Sequence, residues 1–222
     1  HKIFHASIPF YDFRDSTVVL YIYNSTTFKN NHFSLLIMNE FQYEIKLPKD
    51  RIAVLIGKKG QIKNELEQDT KTSITIDSKE GDVFIRGDDA LDLYVTKEIV
   101  TAIARGFNPD VAKYLLKQDY SFELIRMDEF VKSKSSQLRL KGRVIGKEGK
   151  SRNNIEFLTD TNICVYGKTI GIIGRTEEVT NARRAIESLL SGSPHANVFK
   201  WLEKKRRESK IMEFEAKEDG TN

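Results

Sequence analysis

An internal repeat constrains the fold of this chain more than any other feature of its sequence. The stretch Ile56-Gly57-Lys58-Lys59-Gly60 recurs 89 residues later as Ile145-Gly146-Lys147-Glu148-Gly149. The similarity continues without a gap, because Leu66-Glu67 falls on Ile155-Glu156 at the same offset. Two copies are too few for a solenoid, which needs three or more stacked repeats. The repeat therefore predicts a duplicated domain.

The hydrophobic pattern of the first copy predicts the order strand, helix, helix, strand, strand, helix. Apolar residues alternate from Phe41 to Leu47, which is typical of a half-buried strand. Two short helices are predicted on either side of the glycine loop, at 51–56 and 61–69. Ser78-Lys79-Glu80-Gly81 joins the next two strands in a hairpin, and Asp88 is the predicted cap of the last helix.

The second copy repeats this order after an insertion, 127–134, that the first copy lacks. Helices are predicted at 137–145 and 150–159, a hairpin turns at Gly167-Lys168, and Thr176 is the predicted cap of the last helix. The predicted fold is α+β. It consists of two tandem modules, each a three-stranded antiparallel sheet backed by three helices, followed by a C-terminal helix.

The predicted domain boundaries follow from these elements. They are an N-terminal extension at 1–37, a first module at 38–106, a linker at 107–119, a second module at 120–192, and a C-terminal helix and tail at 193–222. The first 37 residues contain no copy of the repeat, and the first methionine is Met38. We interpret them either as an upstream extension of a chain that naturally starts at Met38, or as an arm on the first module. Val18 to Tyr23 is its candidate strand.

The paired glycines of each copy predict a loop that holds an anionic backbone. Glycine lacks a Cβ, so such a loop can turn sharply and let a bulky ligand approach its main chain. The helix that follows begins with unpaired N–H groups, and its positive dipole end favours a phosphate. One Gly-x-x-Gly is a weak signal. Its recurrence with matching flanks and a lysine in each loop makes it a strong one.

With this element order and this loop, residues 40–192 resemble the type I KH family. The two strands after the loop favour type I over type II. The resemblance implies that each Gly-x-x-Gly loop can clamp about four nucleotides of single-stranded RNA. Segments 143–150, 165–168, 194–197 and 204–207 further resemble the archaeal branch of the "partner of Nob-one" KH family.

That closer resemblance implies a role in maturation of the small ribosomal subunit. The implied ligand is rRNA near the 3′ end of the small-subunit RNA. The implied protein partners are ribosome-assembly factors or translation factors. The single cysteine, Cys164, excludes an internal disulfide and fits a reducing compartment, so we expect the cytoplasm.

Charge ranks the second loop above the first. Residues 40–118 carry 13 basic and 14 acidic side chains, whereas 132–152 carries eight basic residues and a single acid, Glu148. Each neutralised phosphate releases counterions and strengthens binding, so we expect the second module to be the main RNA site. The predicted RNA-binding residues there are Arg139, Lys141, Arg143, Ile145, Gly146, Lys147, Glu148, Gly149, Lys150, Arg152, Asn153 and Ile163.

Several of these residues have more specific predicted roles. Ile145 and the strand of Ile163 are expected to form an apolar floor for the bases. Glu148 either moderates the local charge or reads a base edge, and Asn153 is either an RNA contact or an exposed polar residue. In the first module, Ile56, Gly57, Lys58, Lys59 and Gly60 either contact RNA or preserve the turn in a structural copy.

One position departs from the KH pattern. The family usually has an apolar residue three positions after the second glycine, where this chain has Lys63 and Arg152. We expect either a small rotation of the second helix or an additional phosphate contact.

Other classes of site have little support. A nucleotide-binding phosphate loop would require glycine at the position of Val144, and the four histidines do not cluster at metal-ligand spacing. No apolar run approaches the roughly 20 residues that span a bilayer. We therefore predict that the protein is not an enzyme, binds no cofactor or metal, and has no membrane partner. The alternative is a protein-interaction adaptor whose insertion at 127–136 or C-terminal helix docks a partner. His195 is expected to cap that helix, and Trp201 to pack it.

Overall fold

The computed structural model describes residues 21–23 and 40–219, with side-chain surroundings for 41–212. The chain divides between Leu116 and Lys117 into two compact units, and each unit holds one copy of the repeat. The part of the candidate N-terminal strand before Tyr21 lies outside the described residues. Its last three residues, Tyr21–Tyr23, pair with the first strand of the repeat.

The first unit has the predicted order of elements, with one additional edge strand. Its sheet is antiparallel with the order β1-β2-β4-β3. The elements are β1 Tyr21–Tyr23, β2 Glu40–Lys46, α1 Lys49–Ile56, a 3₁₀ turn Lys58–Gly60, α2 Gln61–Thr70, β3 Ser73–Asp77, β4 Asp82–Gly87, α3 Ala90–Ala104, α4 Pro109–Ala112 and a 3₁₀ turn Lys113–Leu116.

The second unit repeats this order around a three-stranded antiparallel sheet, β5-β7-β6. Its elements are β5 Tyr120–Arg126, a 3₁₀ turn Met127–Glu129, α5 Lys134–Ile145, a 3₁₀ turn Lys147–Gly149, α6 Lys150–Thr159, β6 Asn162–Tyr166, β7 Thr169–Arg175, α7 Thr176–Leu190 and α8 His195–Asp219. The predicted α+β fold of two KH-like modules and a C-terminal helix is confirmed.

The long C-terminal helix completes the core of the second unit. Val198 and Leu202 of α8 are buried in the same cluster as residues of α5, α6 and α7. Trp201 is partly buried against this cluster, and the guanidinium of Arg184 lies 4.9 Å from the centre of its ring. The expected packing role of Trp201 is confirmed, and α8 is part of the domain.

Residues 107–116, which the sequence places in the linker, pack on the first unit. Phe107, Ala112 and Leu115 are buried. The guanidinium of Arg51 on α1 donates to the main-chain oxygens of Ile103 and Phe107 at 2.8 and 2.5 Å. These bonds satisfy carbonyl groups where α3 ends, so α4 is tied to the helix layer.

The structure contradicts two of the predicted helix caps, at the starts of α3 and α7. Strand β4 continues to Gly87, so the cap position of α3 falls on Asp89 and not on Asp88. Asp89 accepts hydrogen bonds from two main-chain N–H groups of the first turn. Thr176 is already the first helical residue of α7, and its hydroxyl donates to the main-chain oxygen of Asp119 at 3.3 Å.

A side-chain hydrogen bond to the edge strand also recurs in both copies. Glu156 accepts from the main-chain N–H of Ile163 at 2.7 Å, as Glu67 does from Ile74 at 2.6 Å. The Nε atom of Arg152 lies 3.6 Å from Oε2 of Glu156, and the Nζ atom of Lys63 lies 3.0 Å from Oε1 of Glu67. The basic residues that depart from the KH pattern therefore pair with the glutamates that hold β3 and β6.

We predict that Glu156→Ala lowers the free energy of unfolding of the second unit by about 1–2 kcal/mol, because it leaves the Ile163 N–H without its acceptor. Trp201, the single tryptophan, reports on this unit alone during urea denaturation. Glu203→Ala is the control, since that exposed carboxylate lies 4.0 Å from Arg207. It should change stability by less than about 0.5 kcal/mol. Equal effects of the two variants would contradict the role of Glu156.

Candidate nucleic-acid interface

The two glycine loops have nearly the same backbone conformation. In the second loop, φ is 75° at Gly146, 55° at Glu148 and 77° at Gly149. The first loop has 72°, 54° and 81° at the matching positions. Both glycines and the residue before the second glycine therefore adopt left-handed backbone angles. Sequence reasoning missed the left-handed glutamate, because non-glycine residues seldom adopt this conformation and nothing in the pattern marks it.

The two glycines of the second loop are required for different reasons. A Cβ on Gly146 would lie 2.6 Å from the Cβ of Ser151 and 2.7 Å from its main-chain nitrogen. A Cβ on Gly149 would find its nearest neighbour, the side chain of Asn153, at 3.7 Å. Gly146 therefore permits close packing of the loop on α6, whereas Gly149 is favoured by its backbone angle alone.

Three of the predicted RNA-binding cations surround this loop. Arg139, Lys147 and Lys150 are exposed, and none has a carboxylate partner among the described residues. They adjoin the start of α6, where the first N–H groups of a helix lack intrahelical acceptors. The N–H groups of Gly149 and Lys150 donate to main-chain oxygens of the loop, so the site offers a phosphate the three cations and the positive dipole end of α6.

The remaining predicted cations are placed differently. Arg143 donates to the main-chain oxygens of Leu189 and Ser193 at 3.0 and 2.7 Å, so its guanidinium holds the end of α7. Arg152 pairs with Glu156, and Lys141 is half-buried on α5. Sequence spacing could not tell these cations from the exposed ones. The difference depends on partners such as Leu189 and Ser193, which are distant along the chain, or on which side of a helix faces the solvent.

The apolar floor requires a correction. Ile163 is only 4% exposed and lies in the core cluster of the second unit, because its register on β6 turns it towards the helices. Its side chain is therefore not a surface on which bases can lie. Ile145 is half-buried at the end of α5, and the Oδ1 atom of Asn153 accepts from Arg152 at 3.2 Å.

A cavity of about 740 Å³ opens beside the second loop, towards the start of α8. Its walls come from α5, the loop, the first turns of α6 and the residues His195 and Phe199. His195 does not cap α8 as predicted, because its Nε2 atom lies 2.8 Å from the main-chain oxygen of Arg143. Sequence reasoning did not connect α8 with the loop, since the two are distant along the chain.

The first loop has a less basic setting. Lys58 and Lys59 are exposed, but α2 carries acidic residues close by. Lys113 donates to Glu65, and this hydrogen bond lowers the pKa of the Glu65 carboxyl. Further along the unit, Leu91 and Tyr94 of α3 expose 67% and 50% of their surface. This unit therefore presents an apolar surface as well as a glycine loop.

Residues 21–23 and 40–219 show neither a metal cluster nor a membrane span. No group of three or more histidine, cysteine, aspartate or glutamate side chains there is placed to hold a metal ion. No helix in this part of the chain combines the length and apolar character that crossing a membrane requires.

Family profiles of KH domains match both units of the chain. A profile for the second KH domain of PNO1, described as a eukaryotic-type KH domain of type I, matches residues 121–207. A general KH-domain profile matches residues 42–100. Each match includes one Gly-x-x-Gly loop, and the first of them extends into α8.

The chain is also similar to curated proteins of archaea and fungi. It is 46% identical to a KH domain-containing protein of Methanocaldococcus jannaschii, over 77% of this chain and 77% of that protein. It is 28% identical to the pre-rRNA-processing protein pno1 of Emericella nidulans, over 72% of this chain and 65% of that protein.

Two crystal structures from Pyrococcus horikoshii OT3 resemble the chain. One is Dim2p, with 44% sequence identity, a TM-score of 0.69, and coverage of 73% of this chain and 98% of that one. The other is a complex of a/eIF2α, aDim2p and rRNA, with 42% identity, a TM-score of 0.71, and coverage of 76% and 96%.

We predict that Gly146→Ala destabilises the second unit by about 3 kcal/mol, because φ near 75° with an extended ψ is almost confined to glycine and the new Cβ meets α6. Gly149→Ala should cost only about 1–2 kcal/mol, the penalty of a left-handed alanine in open space. Urea denaturation followed by Trp201 fluorescence measures both. Equal losses would show that close packing at Gly146 does not matter.

Proposed function

Because the chain belongs to the family of KH-domain proteins that includes PNO1 and archaeal Dim2p, we propose that its second Gly-x-x-Gly loop is the main clamp for single-stranded RNA. The observation that carries this assignment is the set of three unpaired cations, Arg139, Lys147 and Lys150, around that loop. The first loop has two lysines, Lys58 and Lys59, beside an acidic helix.

The proposed mechanism uses main-chain groups and cations together. The left-handed turn at Gly149 directs the chain into α6 without a side-chain cap, and the N–H of Lys150 donates to the main-chain oxygen of Lys147. The positive dipole end of α6 then favours a phosphate beside the loop. Lys147 and Lys150 neutralise the backbone on either side of the turn, and this electrostatic contribution is independent of sequence. Base recognition then requires surfaces next to the loop, of which half-buried Ile145 is one.

The proposed ligand is rRNA near the 3′ end of the small-subunit RNA, bound during ribosome biogenesis. Two relatives support this choice: one is a pre-rRNA-processing protein, and the other forms a complex with rRNA and a/eIF2α. By the same reasoning we propose ribosome-assembly or translation-factor proteins as partners, and the cytoplasm as the place of action. No catalytic activity is proposed.

An adaptor function is the second candidate, and the exposed Leu91 and Tyr94 of the first unit favour it. Apolar side chains exposed together are typical of protein-binding surfaces. The two functions are compatible, with RNA on the second unit and a protein on the first. They differ in their response to salt, because phosphate contacts weaken steeply with added salt and apolar docking does not.

We predict that Lys147→Asp/Glu148→Asp weakens binding of single-stranded RNA from the 3′ end of small-subunit rRNA at least about tenfold. It should also make the slope of log affinity against log salt shallower by about one. The control, Lys58→Asp/Lys59→Asp, places the same two aspartates in the first loop and, although it replaces two lysines where the first variant replaces one, should change affinity less than about threefold. Fluorescence anisotropy at four salt concentrations measures both effects.

Loss of binding only in the first-loop variant would reverse the assignment of the two modules. Binding by the parent protein that does not respond to salt would contradict a phosphate clamp in either module. A duplex of the same sequence serves as the ligand control, since a KH clamp for single strands should bind it more weakly.

A further inference from the structure

The cavity beside the second loop is formed by residues that differ systematically from their counterparts in the first copy. At the 89-residue offset, Ala53 corresponds to Gly142 and Ile62 corresponds to Ser151. Gly142 and Ser151 both line the cavity, and both are smaller than the residues they match. The second copy therefore has room where the first copy has side chains.

The position of Ser151 shows how this space arises. In the first copy, Ile62 lies directly against the loop, and a Cβ on Gly57 would come within 2.3 Å of its Cγ1 atom. Ser151 occupies the same place with a side chain that has two fewer non-hydrogen atoms and carries a hydroxyl. It is 5% exposed, and its Oγ atom has no hydrogen-bond partner among the described residues. A buried hydroxyl without a partner is unfavourable, so Ser151 adds an unsatisfied polar group to this wall.

The charged residues around the cavity also differ between the two copies. Asp50 corresponds to Arg139, Gln61 to Lys150, and Glu65 to Asn154. In the first copy, Lys113 pairs with Glu65. In the second copy no acidic residue lines the cavity, and Arg139 and Lys150 lie at its edge without carboxylate partners in the described part of the chain. An anionic ligand therefore fits this wall in the second copy, whereas the acidic residues at the matching positions of the first copy would repel it.

The opposite wall belongs to α8 and is aromatic. The rings of His195 and Phe199 have centroids 5.9 Å apart, with an angle of 57° between their planes. The bond between His195 and the main-chain oxygen of Arg143 fixes this wall to α5. Aromatic side chains opposite cations are the pairing that holds a nucleotide, since the ring stacks on the base while the cations bind the phosphate.

We propose that this cavity receives one further nucleotide of the clamped RNA strand, with its phosphate towards Arg139 and Lys150 and its base against Phe199 and His195. The inference rests on the proposed RNA clamp and extends it from the loop to the C-terminal helix. A volume of about 740 Å³ is ample for a single nucleotide. The site of the second unit is then longer than the roughly four nucleotides of a KH loop.

A length series of RNA tests this extension. Affinities are measured for oligonucleotides of four nucleotides and for the same sequence lengthened by two at either end. The test variant, Arg139→Gln/Ser151→Ile, removes the cation and restores the isoleucine of the first copy. Arg175→Gln is the control, because it removes an exposed arginine from the end of β7, which does not line the cavity.

We expect the parent protein to gain at least about tenfold in affinity when the RNA is lengthened at one end, as one additional stacked base can supply. The test variant should lose this gain, and its affinity should fall by a larger factor for the lengthened RNA than for the four-nucleotide RNA, to which Arg139 also contributes as part of the loop clamp. The control should behave as the parent does. Arg139→Gln alone, at an exposed position, should lose part of the gain without the packing change at Ser151.

Three results would overturn the proposal. They are no gain on lengthening in the parent, an equal gain in the parent and the test variant, or an equal loss for both RNA lengths. In each of these cases binding of the four-nucleotide RNA still supports the loop clamp. Failure of the parent to bind RNA of either length would contradict the proposed function as well.

Discussion

The turn at Gly146 is the constraint on which the second unit's site depends. A side chain at this position would collide with α6, and the backbone angles there are almost confined to glycine. The turn brings the end of α5 against the start of α6, so the positive dipole end of that helix and neighbouring cations face the same space. Glu156 of the same helix then holds the edge strand at Ile163. One backbone conformation thus positions the loop, the helix terminus and the strand.

The two units use this geometry in different surroundings. Their loop angles agree within a few degrees, yet the first loop lies beside an acidic helix and the second among unpaired cations. The backbone of the loop and the bonds of Glu67 and Glu156 are alike in the two units, while the charge of the surface differs. The second unit has the more basic surroundings and an open cavity with α8 on one side, and both units expose apolar side chains, Leu91 and Tyr94 in the first and Leu138 and Phe157 in the second. Under the proposed function, this difference in charge makes the second module the main RNA site.

The local hydrophobic pattern of the sequence predicted the helices and strands well, but it did not predict contacts between residues distant along the chain. The predicted bounds of the helix Lys150–Thr159 were correct to the residue, because it begins directly after Gly149 and has a clear apolar period. Asp88 was off by one position, since a strand end is not marked in the sequence. The roles of Arg143 and His195 were missed because their partners are about fifty residues away. The burial of Ile163 was missed because a strand has two faces and the resemblance did not specify which one the groove uses.

The most direct test of the central claim is an NMR titration of the whole chain with a four-nucleotide single-stranded RNA, followed through main-chain amide resonances. If the second loop is the main clamp, the amides of 146–151 shift first and saturate at an RNA concentration at which those of 57–62 have barely moved. The same titration in high salt should require more RNA, because phosphate contacts compete with counterions. Saturation of the 57–62 amides before the 146–151 amides would contradict the claim.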